Sequence, residues 1–169
     1  TGAMANAGEL SFRTVKDARR VIISPNDPGA MTQYAEECRT LGIPFIWDPG
    51  QQCARMSGQE LADGLQGAAM VICNDYELEL MKQKTELDEE AILERAGALI
   101  VTRGEHGCTA RQGSVTVNVP AVPPRAIVDP TGVGDAFRGG LLKGLAKGAS
   151  LEVCCRLGRS RAPPVNVFS

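Results

Sequence analysis

From Val21 onward the chain alternates short apolar runs with stretches whose apolar residues recur at helical spacing, and this alternation constrains the fold more than any other feature. Such alternation is what a parallel sheet with crossover helices requires, because each parallel connection must carry the chain back across the sheet. Val21-Ile22-Ile23 is the first predicted strand. Pro28 to Leu41 reads as a helix, with Pro28 tolerated in its first turn and Gly42 supplying a left-handed end. Pro44 to Asp48 is the next strand, and Ser57 with Glu60 forms a capping-box pattern that opens a helix through Leu65. Ala69 to Cys73 reads as a buried strand, followed by a helix from Asn74 to about Lys82 and another from Asp88 to near Gly97. Ala98 to Thr102 is again a strand. Cys108 to Arg111 and Val115 to Val119, separated by Gly113, read as a hairpin that turns the sheet antiparallel at that edge. After a connector marked by Pro120, Pro123 and Pro124, Ala126-Ile127-Val128 is a further strand, and helices over Val133 to Lys147 and Leu151 to Leu157 follow.

At 169 residues and 43% hydrophobic the chain suffices for one domain that buries roughly two-thirds of its unfolded surface. A net charge of −2 without a basic block argues against nucleic acid or an anionic membrane as the main partner. No apolar run approaches the length of a membrane span and no signal-peptide pattern opens the chain, so the expected location is cytoplasmic. The six cysteines, Cys38, Cys53, Cys73, Cys108, Cys154 and Cys155, form no CxxC pair, and a single histidine, His106, is available beside them. Buried free thiols are therefore expected rather than a zinc site or a disulfide framework.

The richest motif runs from Asp129 to Gly140 and reads DPTGVGDAFRGG. Gly132 and Gly134 let the backbone turn tightly, so the N–H groups of Gly132, Val133 and Gly134 can converge on an anion at a helix start. Asp135 sits beside that pocket. An acid there would repel a resting phosphate, so its expected task is to take a proton from a hydroxyl that attacks one. Three other polar segments also follow strands: Asp48-Pro49-Gly50, Asn74 to Glu77, and Thr102-Arg103-Gly104. In an open parallel sheet ligands bind at the carboxyl ends of strands, so these segments belong to one rim. Each also has a purely structural reading. Asn74 with Glu77 is a helix capping box, Thr102 to Gly107 is a strand end with a tight turn, and Asp129 with Thr131 can brace a loop. Arg103 reads as a solvated surface arginine, with pairing to phosphate as its alternative, and Lys143 and Lys147 read as a solvated helix face. No GxGxxG follows any strand and no GxxxxGK[ST] occurs, which removes dinucleotide-binding and P-loop readings.

These motifs, in order, resemble the ribokinase/pfkB family of carbohydrate kinases. DPGQ at Asp48 to Gln51, NDYE at Asn74 to Glu77, VTRGE at Val101 to Glu105 and DPTGVGDAFRGG look most like its adenosine-kinase-like branch, over the C-terminal half only. The resemblance implies a ribokinase-like α/β three-layer sandwich with a largely parallel sheet, truncated at the N-terminal half. It also implies transfer of the ATP γ-phosphoryl group to a primary hydroxyl of a sugar or nucleoside, with Asp135 as base and the amides of Gly132 to Asp135 stabilising charge. By the same resemblance Asn74 and Glu77 order Mg²⁺ through water, Thr102, Gly104 and Gly107 line the nucleotide site, and a monovalent cation binds near Asp129 and Thr131.

Two departures from the family accompany the matches. The glycine-rich element that helps hold the sugar has no counterpart before Thr1, so residues 1–20 read as an N-terminal remnant and residues 21–158 as the nucleotide- and phosphate-binding part. Exposed strand edges are then expected, with homo-oligomerisation through them left open. After Gly158 the composition changes abruptly, and Pro163-Pro164 cannot continue a helix, so residues 159–169 are expected to be a divergent, disordered tail, with a shifted reading frame as one origin. A noncatalytic nucleotide-binding or interaction module derived from such a kinase is the alternative function.

Overall fold

The computed structural model describes residues 2–15, 17–121 and 132–160. Its strands are β1 (Val21–Ile23), β2 (Phe45–Trp47), β3 (Met70–Asn74), β4 (Leu99–Thr102), β5 (Cys108–Gln112) and β6 (Val115–Val119), in one sheet ordered β1-β2-β3-β4-β5-β6. The first four pair in parallel, with Ile22 opposite Ile46, Trp47 opposite Val71 and Asn74 opposite Thr102. Two residues, Gly113 and Ser114, join β5 to its neighbour β6. So short a link makes an antiparallel hairpin, as the spacing predicted. The chain divides into two compact units, Thr1–Thr102 with Arg111–Val115, and Arg103–Ala110 with Thr116–Ser169.

In the first unit the helices start where capping side chains satisfy otherwise orphaned amides. Asp27 accepts from the Ala30 amide at 3.1 Å to open α1 (Pro28–Leu41), which ends at Gly42 in the left-handed conformation. Ser57 and Glu60 complete the expected capping box of α2 (Gly58–Leu65), and Asp88 caps α4 (Glu89–Arg95) through the Ala91 amide at 2.8 Å. Between them lies α3 (Asp75–Thr85), three residues longer than predicted because its left-handed terminator is Glu86, with φ +58°, a residue type that carries no such signal. Trp47, Phe45, Met31, Leu61, Leu65 and Leu99 are fully buried. Each such side chain contributes about 1.5–3 kcal/mol relative to exposure, so the strands and helices that bring them together are held chiefly by this core.

Residues 3–14 are not loose chain in this structure. Two 3-10 turns, Ala3–Glu9 and Phe12–Thr14, are tied to α1: the Tyr34 hydroxyl donates to Ala7 O at 2.5 Å and Glu37 accepts from the Phe12 amide at 2.7 Å. The Phe12 and Tyr34 rings pack in a tilted arrangement with centroids 5.0 Å apart and planes at 50°.

The second unit is built on α5 (Val133–Ala146) and α6 (Leu151–Ser160). A Cβ on Gly140 would overlap Leu157 O and the Gly158 Cα, so the helices meet at backbone distance because both positions are glycine. Helix α6 reaches Ser160, three residues beyond its expected end at Leu157. Arg159 explains part of the extension, since its guanidinium donates to Gly107 O at 3.3 Å and Gly104 O at 3.0 Å. The strand expected at Ala126 to Val128 and the tail from Arg161 onward lie outside the described residues, while Arg159 and Ser160, expected in that tail, belong to α6.

Candidate functional site

Three strand ends of the first unit carry the predicted polar segments. Asp48 follows β2, fully buried, and its amide donates to Ile23 O at 3.0 Å. The chain then turns through a 3-10 segment, Gly50–Ala54, whose end is held by the Lys84 ammonium donating to Cys53 O, Ala54 O and Met56 O at 2.8, 2.9 and 2.7 Å. Nothing local in the sequence signals this clamp, because Lys84 comes from α3, more than twenty residues away.

Asn74 ends β3 and caps α3. Its Oδ1 accepts from the Glu77 amide at 2.7 Å, while Glu77 Oε2 accepts from the Asn74 amide at 2.8 Å. Thr102 stands opposite Asn74 in the parallel register, and its hydroxyl donates to Cys73 O at 3.4 Å. The structure thus brings Asn74, Glu77 and Thr102 together, as predicted. Their environment is acidic. Burial, then Glu77, and further on Asp48, push the Cys53 thiol up to about 12, and burial followed by Glu77 raises Cys73 well above the usual thiol range. Hard oxygen donors on a locked turn suit Mg²⁺, which keeps several waters. The described residues contain no cluster of three or more His, Cys, Asp or Glu arranged to hold a metal ion.

In the second unit the segment after β4 closes on itself. The Arg103 amide donates to Gly107 O at 2.8 Å, the Gly107 amide to Gly104 O at 3.2 Å, and Gly107 has φ +96°. Here the expectation of a solvated Arg103 needs correction: its guanidinium bonds the Thr109 hydroxyl, which in turn donates to Asn118 at 2.9 Å. The tight turn brings residues 103 and 109 side by side, which a linear reading cannot reveal. Gly104 and Gly107 are further braced by Arg159. His106 is exposed in the turn, as expected.

Gly132 precedes α5 with φ +81° and no side-chain cap, and the first helical bond runs from the Ala136 amide to Gly132 O at 2.9 Å. Amides of Val133, Gly134 and Asp135 therefore have no acceptor within the helix and sit where its dipole favours an anion. The Asp135 side chain is 89% exposed, with Arg138 Nη1 3.7 Å from its carboxylate. A carboxylate in the interior would have denied it access to substrate. Asp129 and Thr131 lie outside the described residues, and Lys143 and Lys147 are exposed as expected.

A largely parallel α/β sheet with capped polar turns at its strand ends defines the class of open-sheet α/β proteins, in which ligands bind at the carboxyl ends of the strands. The model of the pfkB family of carbohydrate kinases matches residues 5–162, and the chain belongs to that family. It is 49% identical over 171 residues to a cytidine kinase of Thermococcus kodakarensis, covering 97% of this chain and 61% of that protein. It is 30% identical over 149 residues to a nucleoside kinase of Methanothermobacter thermautotrophicus, covering 88% of this chain and 48% of the other. Among solved structures, Burkholderia thailandensis nucleoside kinase in complex with ADP-inosine superimposes with a TM-score of 0.90 at 40% identity, covering 93% of this chain and 49% of that one. The chain therefore spans roughly half the length of these relatives. The ribokinase-like α/β fold expected from the motifs is the fold observed.

Proposed function

We propose that this chain carries the phosphate-donor part of a Mg·ATP-dependent phosphotransferase whose acceptor is a primary hydroxyl of a nucleoside or related sugar. The observation that carries the reading is the α5 mouth: Gly132 in the left-handed conformation, three first-turn amides without helical acceptors, and an exposed Asp135 beside them. Nucleoside acceptors are favoured over simple sugars by the relatives, which include cytidine and nucleoside kinases and one neighbour in complex with inosine.

In this reading Asp135 withdraws the proton from the attacking hydroxyl, and the amides of Gly132 to Asp135 accept charge building on the moving phosphoryl group. Thr102 offers its hydroxyl to a phosphate oxygen, while Gly104 and Gly107 let backbone approach the nucleotide. Asn74 and Glu77 would order Mg²⁺ through water, and a monovalent cation would lie near Asp129 and Thr131. When bound, Mg²⁺ neutralises the phosphate oxygens. Removing the base typically lowers rate on the order of 10²–10⁴, and losing one anion-stabilising donor raises the barrier by about 2.7–4 kcal/mol.

Calorimetric titration with Mg·ATP, alone and with a panel of nucleosides and sugars, followed by phosphoryl-transfer assays, tests the proposal. Turnover abolished by Asp135→Asn with nucleotide binding retained supports it. Nucleotide binding without turnover on any acceptor supports the noncatalytic module instead, and absence of nucleotide binding removes both.

A further inference from the structure

Arg159 opens the segment whose composition departs from the family, and no task falls to it from the resemblance. It lies in the last turn of α6, and its guanidinium spans two backbone carbonyls of the Gly104–Gly107 turn, with Nη1 3.3 Å from Gly107 O and Nη2 3.0 Å from Gly104 O. Both carbonyls also accept backbone amides: Gly107 O from Arg103 at 2.8 Å and Gly104 O from Gly107 at 3.2 Å. One planar fork thus adds a second donor to each carbonyl that closes the turn. Arg156, one turn earlier on the same helix, instead engages Glu152 within α6 at 2.7 Å.

We propose that Arg159 is a positioning residue of the nucleotide site, holding the Gly104–Gly107 turn in the orientation in which a nucleotide meets its backbone. This role rests on the assignment of that turn to the nucleotide under the proposed function. In a planar trans peptide the N–H points opposite to the C=O. With Gly104 O turned toward Arg159, the Glu105 amide is therefore turned away from it, and Gly107 O is anchored at the other end of the turn.

Glycine makes such a hold necessary. Gly104 has φ +48° with open space where a Cβ would sit, and Gly107 has φ +96° at a position where a Cβ would overlap Val119 O. Neither residue has a side chain to fix its peptide planes, and glycine visits either sign of φ at similar cost. A change of φ at Gly104 would re-aim the Glu105 amide unless the carbonyl beside it is held. Helix α6 is itself seated on α5 at backbone distance, where Gly140 meets Leu157 and Gly158 and Gly144 meets Cys154. Loss of the Arg159 side chain should therefore release the turn and leave the helix in place.

The test compares the full parent chain with Arg159→Ala, Arg159→Lys and Arg156→Ala, each titrated with Mg·ATP by calorimetry and followed by amide hydrogen exchange. In Arg159→Ala the Arg103, His106 and Gly107 amides, which close the turn, should exchange faster while protection across α5 and α6 holds. The Kd for Mg·ATP should rise about three- to tenfold, the change expected when preorganisation equivalent to about one hydrogen bond is lost. Arg156→Ala removes the same charge from the same helix and should leave both readouts at parent values. Arg159→Lys keeps the charge but lacks the planar fork, so its Kd should lie closer to that of Arg159→Ala. Should Arg159→Ala fail to fold, Arg159→Lys carries the same readouts. Parent affinity in Arg159→Ala would overturn the role, and so would an equal loss in Arg156→Ala or full recovery in Arg159→Lys, either of which makes charge alone the cause. A parent chain that binds no Mg·ATP removes the nucleotide assignment itself, whereas unchanged exchange at these amides shows that the fork does not hold the turn, so the two failures are read separately.

Discussion

Asn74 and Glu77 bear two loads, closing the N-terminus of α3 and, in the proposed function, ordering Mg²⁺, and paired substitutions can separate them. Asn74→Ala deletes the acceptor of the 2.7 Å bond from the Glu77 amide and leaves the carboxylate. Loss of an N-cap costs about 1 kcal/mol, within a range of roughly 0.5–2. Glu77→Gln keeps an acceptor for the 2.8 Å bond from the Asn74 amide but makes it neutral. A charge-assisted bond contributes about 1.5–3 kcal/mol and a neutral one about 0.5–1.5, so this variant also costs about 1 kcal/mol. Both should lower Tm by about 2–4 °C in a chain of this size. Their effects on metal should diverge. With the carboxylate gone, the Mg²⁺ concentration needed for half-maximal ATP binding should rise about tenfold, equivalent to about 1.4 kcal/mol, whereas Asn74→Ala should shift it by less than about threefold. Thermal melts and Mg²⁺ titrations of ATP binding by calorimetry supply both numbers. Equal Mg²⁺ dependence in Glu77→Gln and the parent would refute the dual role and leave a capping box alone.

Stability should fall as pH rises above about 9, because burial pushes the Cys38 and Cys53 thiols up to about 11 and about 12 in the folded chain while a solvated thiol in the unfolded chain ionises near its ordinary value of 9.0. The folded state then binds more protons than the unfolded one, so each thiol removes about 1.4 kcal/mol per pH unit until its folded value is passed; urea midpoints that do not change between pH 8 and 10 would contradict this. Lys84→Met should strand the carbonyls of Cys53, Ala54 and Met56 and cost about 1–3 kcal/mol, read as faster amide exchange across residues 50–56. Gly140→Ala gains about 1 kcal/mol of helix propensity yet must part α5 from Leu157 and Gly158, so a net loss of roughly 1–2 kcal/mol is expected; a stabilised variant in a thermal melt would refute the backbone contact.

What the sequence revealed were the features written in neighbouring residues. Asp27, Ser57, Asn74 and Asp88 each cap a helix through a partner three residues on, so the starts of α1 to α4 were readable to within a residue. The segments of Asn74 and Thr102 were read as sharing one rim, and the register that sets them opposite each other comes from the structure. Hidden features share one cause, which is separation along the chain. The Lys84 clamp on residues 53–56, the Arg103–Thr109–Asn118 chain and the Arg159 bonds to the Gly104–Gly107 turn all need the fold before their members meet.

The two sets of candidate groups differ in how far their side chains are already engaged. In the first unit every named group already has a partner: Asn74 and Glu77 satisfy each other and Thr102 bonds the neighbouring strand. Those side chains are oriented before any ligand arrives, and a ligand recruiting them gains position at little entropic cost. At the mouth of α5 the arrangement differs: Gly132 supplies no side-chain cap, and the Asp135 carboxylate is 89% exposed, with Arg138 Nη1 at 3.7 Å. An exposed pair of that kind contributes little to stability, so evolution of the fold alone gives small reason for the acid to be there. A general base must be free to receive a proton, and amides that cradle an anion must not already be spent on a cap. In the proposed function Asp135→Asn should therefore cost phosphoryl-transfer activity while leaving Tm essentially unchanged in a thermal melt.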